Sequence, residues 1–209
     1  MAQDRVTERT KRCVVSQWTR MWVVLLTVTM FSGCVAGSPP LSVVVESPAV
    51  AGRLWVRVKP VVTNLFSEDR KQFGMDLSAH YTPVEVQIKN QTGKTVRFDP
   101  ADATLTDRRG KSYSPLNEKE SVQYYMTGGW RSVWTLLPRS SAREEKETQT
   151  IVVNRMVGGE LQPGETGGGL LYFKKIHPKY CGEMTLVLPF TVVGTGEAKR
   201  VTFRLSCAP

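Results

Sequence analysis

Between Pro83 and Lys89 the chain alternates without a break, with Val84, Val86 and Ile88 on one side and Glu85, Gln87 and Lys89 on the other. A period of two places every second side chain on one face, so this is the pattern of a half-buried β-strand. Leu54, Val56 and Val58 repeat it against Trp55 and Arg57, and Thr95–Phe98 resumes it after Asn90-Gln91-Thr92-Gly93, residues that tolerate positive φ in turns. Ala103–Thr106 and Lys111–Tyr113 flank Asp107-Arg108-Arg109-Gly110 and predict a hairpin. A second and longer hairpin is predicted from Met184–Val192 and Arg200–Leu205 across Gly194–Glu197. Its inward set is Met184, Leu186, Leu188, Phe190 and Val192 on one arm and Val201, Phe203 and Leu205 on the other. Leu170–Lys174 reads as a further strand, the Gly167–Gly169 triplet before it as a loop, and Ser67–Lys71 as a charged turn. Short alternating strands at this spacing predict a mainly β, antiparallel sandwich or barrel rather than a parallel α/β sheet.

Residues 117–157 break the pattern. Asn117 followed by Glu118 and Glu120 predicts a helix over 117–126, because acids in the first turn complement the helix dipole. A loop dense in aromatics follows. Ser141 with Glu144 three residues on has the spacing of a capping box and predicts a turn or two of helix over 142–147. The β-branched run Thr150–Val153 is expected to return to strand.

The chain also carries an eleven-residue apolar run, Met21–Phe31, behind a leader containing Arg5, Arg9, Lys11, Arg12 and Arg20. The run is about half of the roughly 20 residues that a membrane-spanning helix needs, and its flanks are those of an export signal. It ends in Phe31-Ser32-Gly33-Cys34, which resembles the lipobox of bacterial lipoproteins: small residues beside the scissile bond, then the cysteine whose thiol takes the lipid. Phe31 stands where that box usually has leucine, and the leader is long; a cleaved secretory protein and an uncleaved anchor are the rival readings. The resemblance implies a signal peptide over 1–33, a lipidated Cys34, a tether over 34–52 and a domain over 53–209. It also implies a place in the cell envelope. Val35 is not the aspartate that favours inner-membrane retention in enteric bacteria, so the expected site is the outer membrane, facing the periplasm or the cell surface.

Two further stretches carry a second resemblance. VEVQIKNQTGKTVRFDPADATLTDRRGKSYSPL is similar to the immunoglobulin-like domain of bacterial surface lipoproteins, where a strand ending in Asn leads through a turn to an L-x-D-x-x-G-x-x-Y hairpin. LQPGETGGGLLYF is similar to the P-G-E segment and apolar strand of the same domain. The implied fold is an immunoglobulin-like sandwich with a partly helical, aromatic-rich insertion, used for binding or assembly. No catalytic residue comes with it.

Charge and cysteine usage fit an exported domain. The chain is +9 at neutral pH; setting aside the five basic and two acidic residues of the leader leaves +6, spread without a block of like charges, the mark of a solvated surface. Anionic lipids or envelope polymers are conceivable partners; nucleic acid is not expected. Of four cysteines, Cys181 and Cys207 remain as an even pair beyond Cys34, and an oxidising compartment makes a disulfide between them the expectation. A zinc site from His177 and those thiols has three candidate ligands and no usual spacing, so no metal or cofactor is expected.

Catalytic signatures are missing from the sequence. His80 and His177 are the only histidines and neither has a second ligand at i+4. Asp99, Asp102 and Asp107 read as turn formers rather than a calcium loop. Glu144, Glu145 and Glu147 read as the exposed face of a helix. The remaining candidate is the insertion: Tyr124, Tyr125, Trp130, Arg131, Trp134 and Arg139 have the composition of binding hot spots. The first reading of them is nonetheless a satellite core packed on the sandwich; a protein-partner surface, sugar stacking and membrane contact stay open behind it. The expectation is a non-catalytic envelope protein held by its lipid, with another envelope protein or a polysaccharide as partner. A passive structural component and a cell-wall polymer hydrolase are the alternatives, the latter requiring two carboxylates converging in a cleft.

Overall fold

The computed structural model describes residues 41–45, 54–61, 68–127, 140–177, 180 and 182–207, with side chains described over 54–61, 71–127, 140–177, 180 and 182–205. Ten strands appear among them: β1 Leu41–Val45, β2 Leu54–Pro60, β3 Tyr81–Asn90, β4 Val96–Phe98, β5 Thr104–Thr106, β6 Ser112–Tyr113, β7 Gly159–Leu161, β8 Thr166–Lys174, β9 Glu183–Val192 and β10 Ala198–Cys207. The helices are α1 Glu68–Phe73, α2 Leu77–His80, α3 Glu118–Met126 and α4 Ser141–Asn154. One sheet runs β1-β10-β9-β4-β7, with β5 beside β9 and β6 beside β5; the other is β2-β3-β8. All these strand pairs are antiparallel. The chain is mainly β and sandwich-like.

The alternation read from the sequence is what closes the sandwich. Val84, Val86 and Ile88 of β3 and Leu54, Val56 and Val58 of β2 face Met184, Leu186, Leu188 and Phe190 of β9 and Val201, Phe203 and Leu205 of β10 in one core. The long hairpin keeps its inward residues opposite one another, Leu188 against Val201 and Leu186 against Phe203. Each such side chain taken out of water contributes about 1.5–3 kcal/mol.

A second core lies on the other face of the three-stranded sheet. Tyr81 of β3 and Leu170 and Tyr172 of β8 meet Phe73, Met75, Leu77, Leu116, Tyr125 and Ile151 from the helices and their flanks. Strand β8 is therefore buried on both sides, Leu171 and Phe173 in the sandwich and Leu170 and Tyr172 under the helices. That explains its unbroken apolar run, the composition of a strand with two covered faces.

Several local expectations change. Thr150–Val153 does not return to strand but completes α4. Glu147 and Ile151, one turn apart, are its buried residues, while Val153 is 67 % exposed. Thr148 and Thr150 donate their hydroxyls to the carbonyls of Glu144 and Lys146, four residues back, so the β-branched residues are accommodated in the helix. The cap of α4 is Ser140, not Ser141: its hydroxyl accepts from the Arg143 N–H, which puts Arg143 rather than a glutamate at the position a capping box needs. The charged turn expected at Ser67–Lys71 is replaced by α1 from Glu68. Leu41–Val45, within the tether expected over 34–52, pairs with β10 as an edge strand. The Gly167–Gly169 loop is instead ladder: these residues pair with Ile88, Gln87 and Val86 of β3.

The Asp107–Gly110 hairpin forms as its residues require. Asp107 has a fully covered side chain that accepts from the Arg109 guanidinium at 2.8 Å, from the Arg109 and Lys111 backbone N–H groups at 2.9 and 3.1 Å, and from the Tyr113 hydroxyl at 3.1 Å. Gly110 closes the turn at φ 81°. The Arg109 guanidinium, itself 3.4 Å above the Tyr180 ring, is the main cause holding the Asp107 carboxyl down from its ordinary 3.8 to about 2. An unfolded chain takes up that proton first. The stabilisation from Asp107 is thus fully present above about pH 4 and lost as pH falls towards 2. Thermal melts across this window are expected to show a shallower acid limb for Asp107→Asn than for the wild type; superimposable limbs would rule Asp107 out as the titrating group.

Candidate functional site

The site is built from α3 outwards. Asn117 accepts from the Glu120 N–H at 2.9 Å while Glu120 accepts from the Asn117 N–H at 2.9 Å, a reciprocal capping box that fixes where the helix starts. The start sets the rotation of everything after it. Successive helical residues are about 100° apart, so the neighbours Tyr124 and Tyr125 point in different directions. Tyr125 turns inwards and is 2 % exposed. Its hydroxyl donates to the Glu147 carboxylate of α4, which also accepts from Arg143 Nε at 3.1 Å, and its ring meets His80 edge-on at 5.0 Å. Tyr124 stays half-buried at the rim, 5.7 Å from the Tyr81 ring, with its hydroxyl accepting from the Lys175 N–H at 3.2 Å.

Beneath them is a cluster of phenols. The Tyr81 and Tyr172 rings meet tilted by 45° with centroids 4.9 Å apart, and the Tyr81 hydroxyl donates to the Ser121 carbonyl at 2.7 Å. Burial pushes both hydroxyls well above the ordinary tyrosine range, so they remain protonated. Burial also pushes the Lys175 ammonium down to about 8; it donates to the Ser78 carbonyl, with the Asp76 charge acting in the opposite direction.

On the outer side of Tyr124 a groove of about 530 Å³ opens between α3 and the extended segment Lys111–Leu116. Among the described residues its floor and walls carry Tyr113, Tyr124 and Gln123, with Lys111 and Lys174 as cations and Glu120 as the single carboxylate. Glu120 is committed to the helix cap, and the Tyr113 hydroxyl to Asp107. Lys111 Nζ lies 5.0 Å over the Tyr113 ring. The lining thus combines aromatic edges, hydroxyl and amide groups and two cations, a surface that can hold a polar or acidic partner.

Of the six residues singled out in the insertion, the structure brings Tyr124 to the groove and puts Tyr125 in the second core. Trp130, Arg131, Trp134 and Arg139 lie outside the described residues, as do Cys34 and Cys181; of Cys207 only the backbone is described. Glu147, expected on an exposed helix face, is buried against Tyr125. The signal was present in the i,i+4 spacing of Glu147 and Ile151. Asp99 caps the 3-10 turn Pro100–Asp102 by accepting from the Ala101 N–H at 2.9 Å. No group of three His, Cys, Asp or Glu residues able to hold a metal occurs among the described residues, and none of the described helices is long and apolar enough to cross a membrane.

Asn90 is a residue whose role the sequence did not disclose. It is fully buried at the end of β3, and its amide makes four bonds: Nδ2 donates to the Lys94 and Leu161 carbonyls at 2.8 Å each, and Oδ1 accepts from the Thr92 N–H at 3.0 Å and the Thr92 hydroxyl at 2.7 Å. Its backbone bonds to Gly164 and Glu165. The strand-ending Asn and the P-G-E segment, about 70 residues apart in sequence, thus meet at one point.

No family model matches this chain, and no curated protein matches it.

Proposed function

We propose that this chain is a lipid-anchored protein of the bacterial cell envelope whose immunoglobulin-like sandwich serves as a non-catalytic binding or assembly module. The observation that carries the binding role is the groove beside α3, where Tyr113, Tyr124, Lys111 and Lys174 converge and the one carboxylate among the described lining residues, Glu120, is tied up in the helix cap. Acid–base or glycosidic chemistry needs carboxylates with room to act on a substrate, and among the described lining residues the single carboxylate is held by the helix cap. The immunoglobulin-like assignment is supported by the meeting of the Asn90 strand end with the Gly164–Glu165 turn and by the Asp107-centred hairpin. Export and anchoring rest on Met21–Cys34, and a Cys181–Cys207 disulfide belongs to the same reading; it closes a loop of about 26 residues, for which chain entropy gives on the order of 3 kcal/mol.

In cells fed a labelled fatty acid, the wild type is expected to take up label and Cys34→Ser to take up none and persist as precursor. Equal labelling of both would sink the anchor. In the same cells a photocrosslinker at Gln123, on the groove wall, is expected to yield a discrete adduct that one at Lys119, which does not line the groove, does not. Identical products from the two positions would count against the groove.

A further inference from the structure

The groove at α3 has two unlike walls. One is a single face of the helix and its cap, where Glu120, Gln123, Tyr124 and Thr127 fall at i, i+3, i+4 and i+7. The other is the segment Lys111–Leu116, which contains β6, and among the described strands β6 pairs with β5 alone. The register decides which backbone groups that edge leaves over. The Asp107 N–H donates to the Lys111 carbonyl at 2.9 Å, and two residues further along the ladder Leu105 stands opposite Tyr113. Bonded and non-bonded pairs alternate in an antiparallel ladder. The intervening pair, Thr106 and Ser112, is therefore non-bonded, and the Ser112 N–H and carbonyl turn away from β5. Ser112 and Ser114 are exposed, and among the described residues neither makes a backbone bond outside the β5–β6 ladder. The charges are one-sided as well. Lys111 and Lys174 are exposed and enter no ion pair among the described residues, while Glu120 accepts from the Asn117 N–H. Residues 128–139, next in sequence after Thr127, contain Arg131 and Arg139 and no Asp or Glu.

We infer that the occupant of this groove is an acidic protein segment in extended conformation, added as a strand to the free edge of β6; the inference rests on the reading of the groove as a binding site. An unpaired strand edge is a template for another strand. In such additions the main-chain bonds supply affinity and the side chains supply the choice of partner. Lysine beside the edge repels a basic strand and leaves an acidic one matched. Here Lys111 lies on the edge-bearing segment and Lys174 at the end of β8, so the cations come from two separate strands. Tyr113 and Tyr124 give the segment's apolar residues a surface between those charges. The groove, about 530 Å³, falls within the range of built binding sites, about 300–1,000 Å³. A uronate polysaccharide meets the lysines too, but it has no ladder of amides to offer Ser112.

The test uses the full-length protein at low salt with three probes: an octapeptide alternating Glu and Val, its counterpart alternating Lys and Val, and an alginate oligosaccharide. The acidic peptide is expected to bind at least about tenfold more tightly than either of the others. At saturation it is expected to slow amide hydrogen exchange at Ser112 about tenfold, the size of one backbone hydrogen bond. Lys111→Gln and Lys174→Gln are each expected to weaken its binding about threefold, with unchanged Tm because both side chains are exposed. Equal binding of the basic peptide or of alginate would reduce the groove to a different contact and overturn the proposal. Tight binding of the acidic peptide with Ser112 exchange unchanged would overturn strand addition, and failure of that peptide to bind would do the same. The photocrosslink at Gln123 separates the two readings. If its adduct persists in cells when the peptide fails, the groove stands and the acidic strand is wrong; if both are lost, the groove falls as well.

Discussion

Gly169→Ala is expected to destabilise the domain by on the order of 3 kcal/mol, a fall in Tm of roughly 6–12 °C for a domain of this size. A methyl on Gly169 would lie 2.6 Å from the Cα and 2.7 Å from the backbone nitrogen of Met156. Both are main-chain atoms that no rotamer change can move aside. The close approach exists because the chain leaving α4 crosses β8 here: the Met156 N–H donates to the Leu170 carbonyl at 2.9 Å, and Arg155 bridges Leu170 in parallel. Forcing the two backbones apart breaks that contact and loosens α4, whose Ile151 fills the second core. The backbone adds to the same loss, since Gly169 has a φ of 159° that L side chains rarely adopt. Gly93→Ala is the matched control: its methyl meets nothing within 4 Å, so its effect should stay within about 0.5 kcal/mol. Thermal melts of the two variants decide the matter, and a Gly169→Ala protein melting with the wild type would contradict the crossing.

Asn90→Asp is expected to cost about 3–5 kcal/mol at neutral pH, the scale of an uncompensated buried charge. The two Nδ2 donors now satisfy the Lys94 and Leu161 carbonyls. A carboxylate oxygen in their place would face two acceptors in a site with no access to water. Asn90→Ala removes the same bonds without adding charge and should cost less, about 2–3 kcal/mol, because the stranded carbonyls and the Thr92 N–H bear a desolvation cost but repel nothing. Acid distinguishes the two. Protonating the introduced carboxyl restores a donor, so Asn90→Asp should recover part of its stability as pH is lowered towards about 4.5, whereas Asn90→Ala should not. Urea denaturation at the two pH values measures both effects. Equal midpoints for Asn90→Asp and Asn90→Ala at neutral pH would show that the site is wetter than its packing implies.

The parts of the fold that the sequence carried by itself are those governed by a short period. Alternation at Val84–Ile88, Leu54–Val58, Met184–Val192 and Val201–Leu205 was enough to name the inward residues, because in a strand the pleat alone decides which side a residue faces. The Asp107–Gly110 turn and the Asn117 cap were legible for a similar reason: their bonds close within a few residues. What only the tertiary structure decided is everything in which two distant segments compete for one face. Thr150–Val153 has strand composition but became helix because Ile151 is needed in the core over Tyr172, and burial of that side chain outweighs a propensity difference of a few tenths of a kcal/mol. Gly167–Gly169 has loop composition but became strand because β3 offers a ladder and Met156 needs the space that a side chain would fill. Tyr124 and Tyr125 are indistinguishable as letters, yet one lines a groove and the other a core, a choice made by the rotation of α3 against Glu147 and Tyr81. Sequence determines local geometry wherever the partners lie within a turn or a pleat; which face is covered, and so which residues are left to bind, is settled only when segments some 70 residues apart come to occupy the same surface.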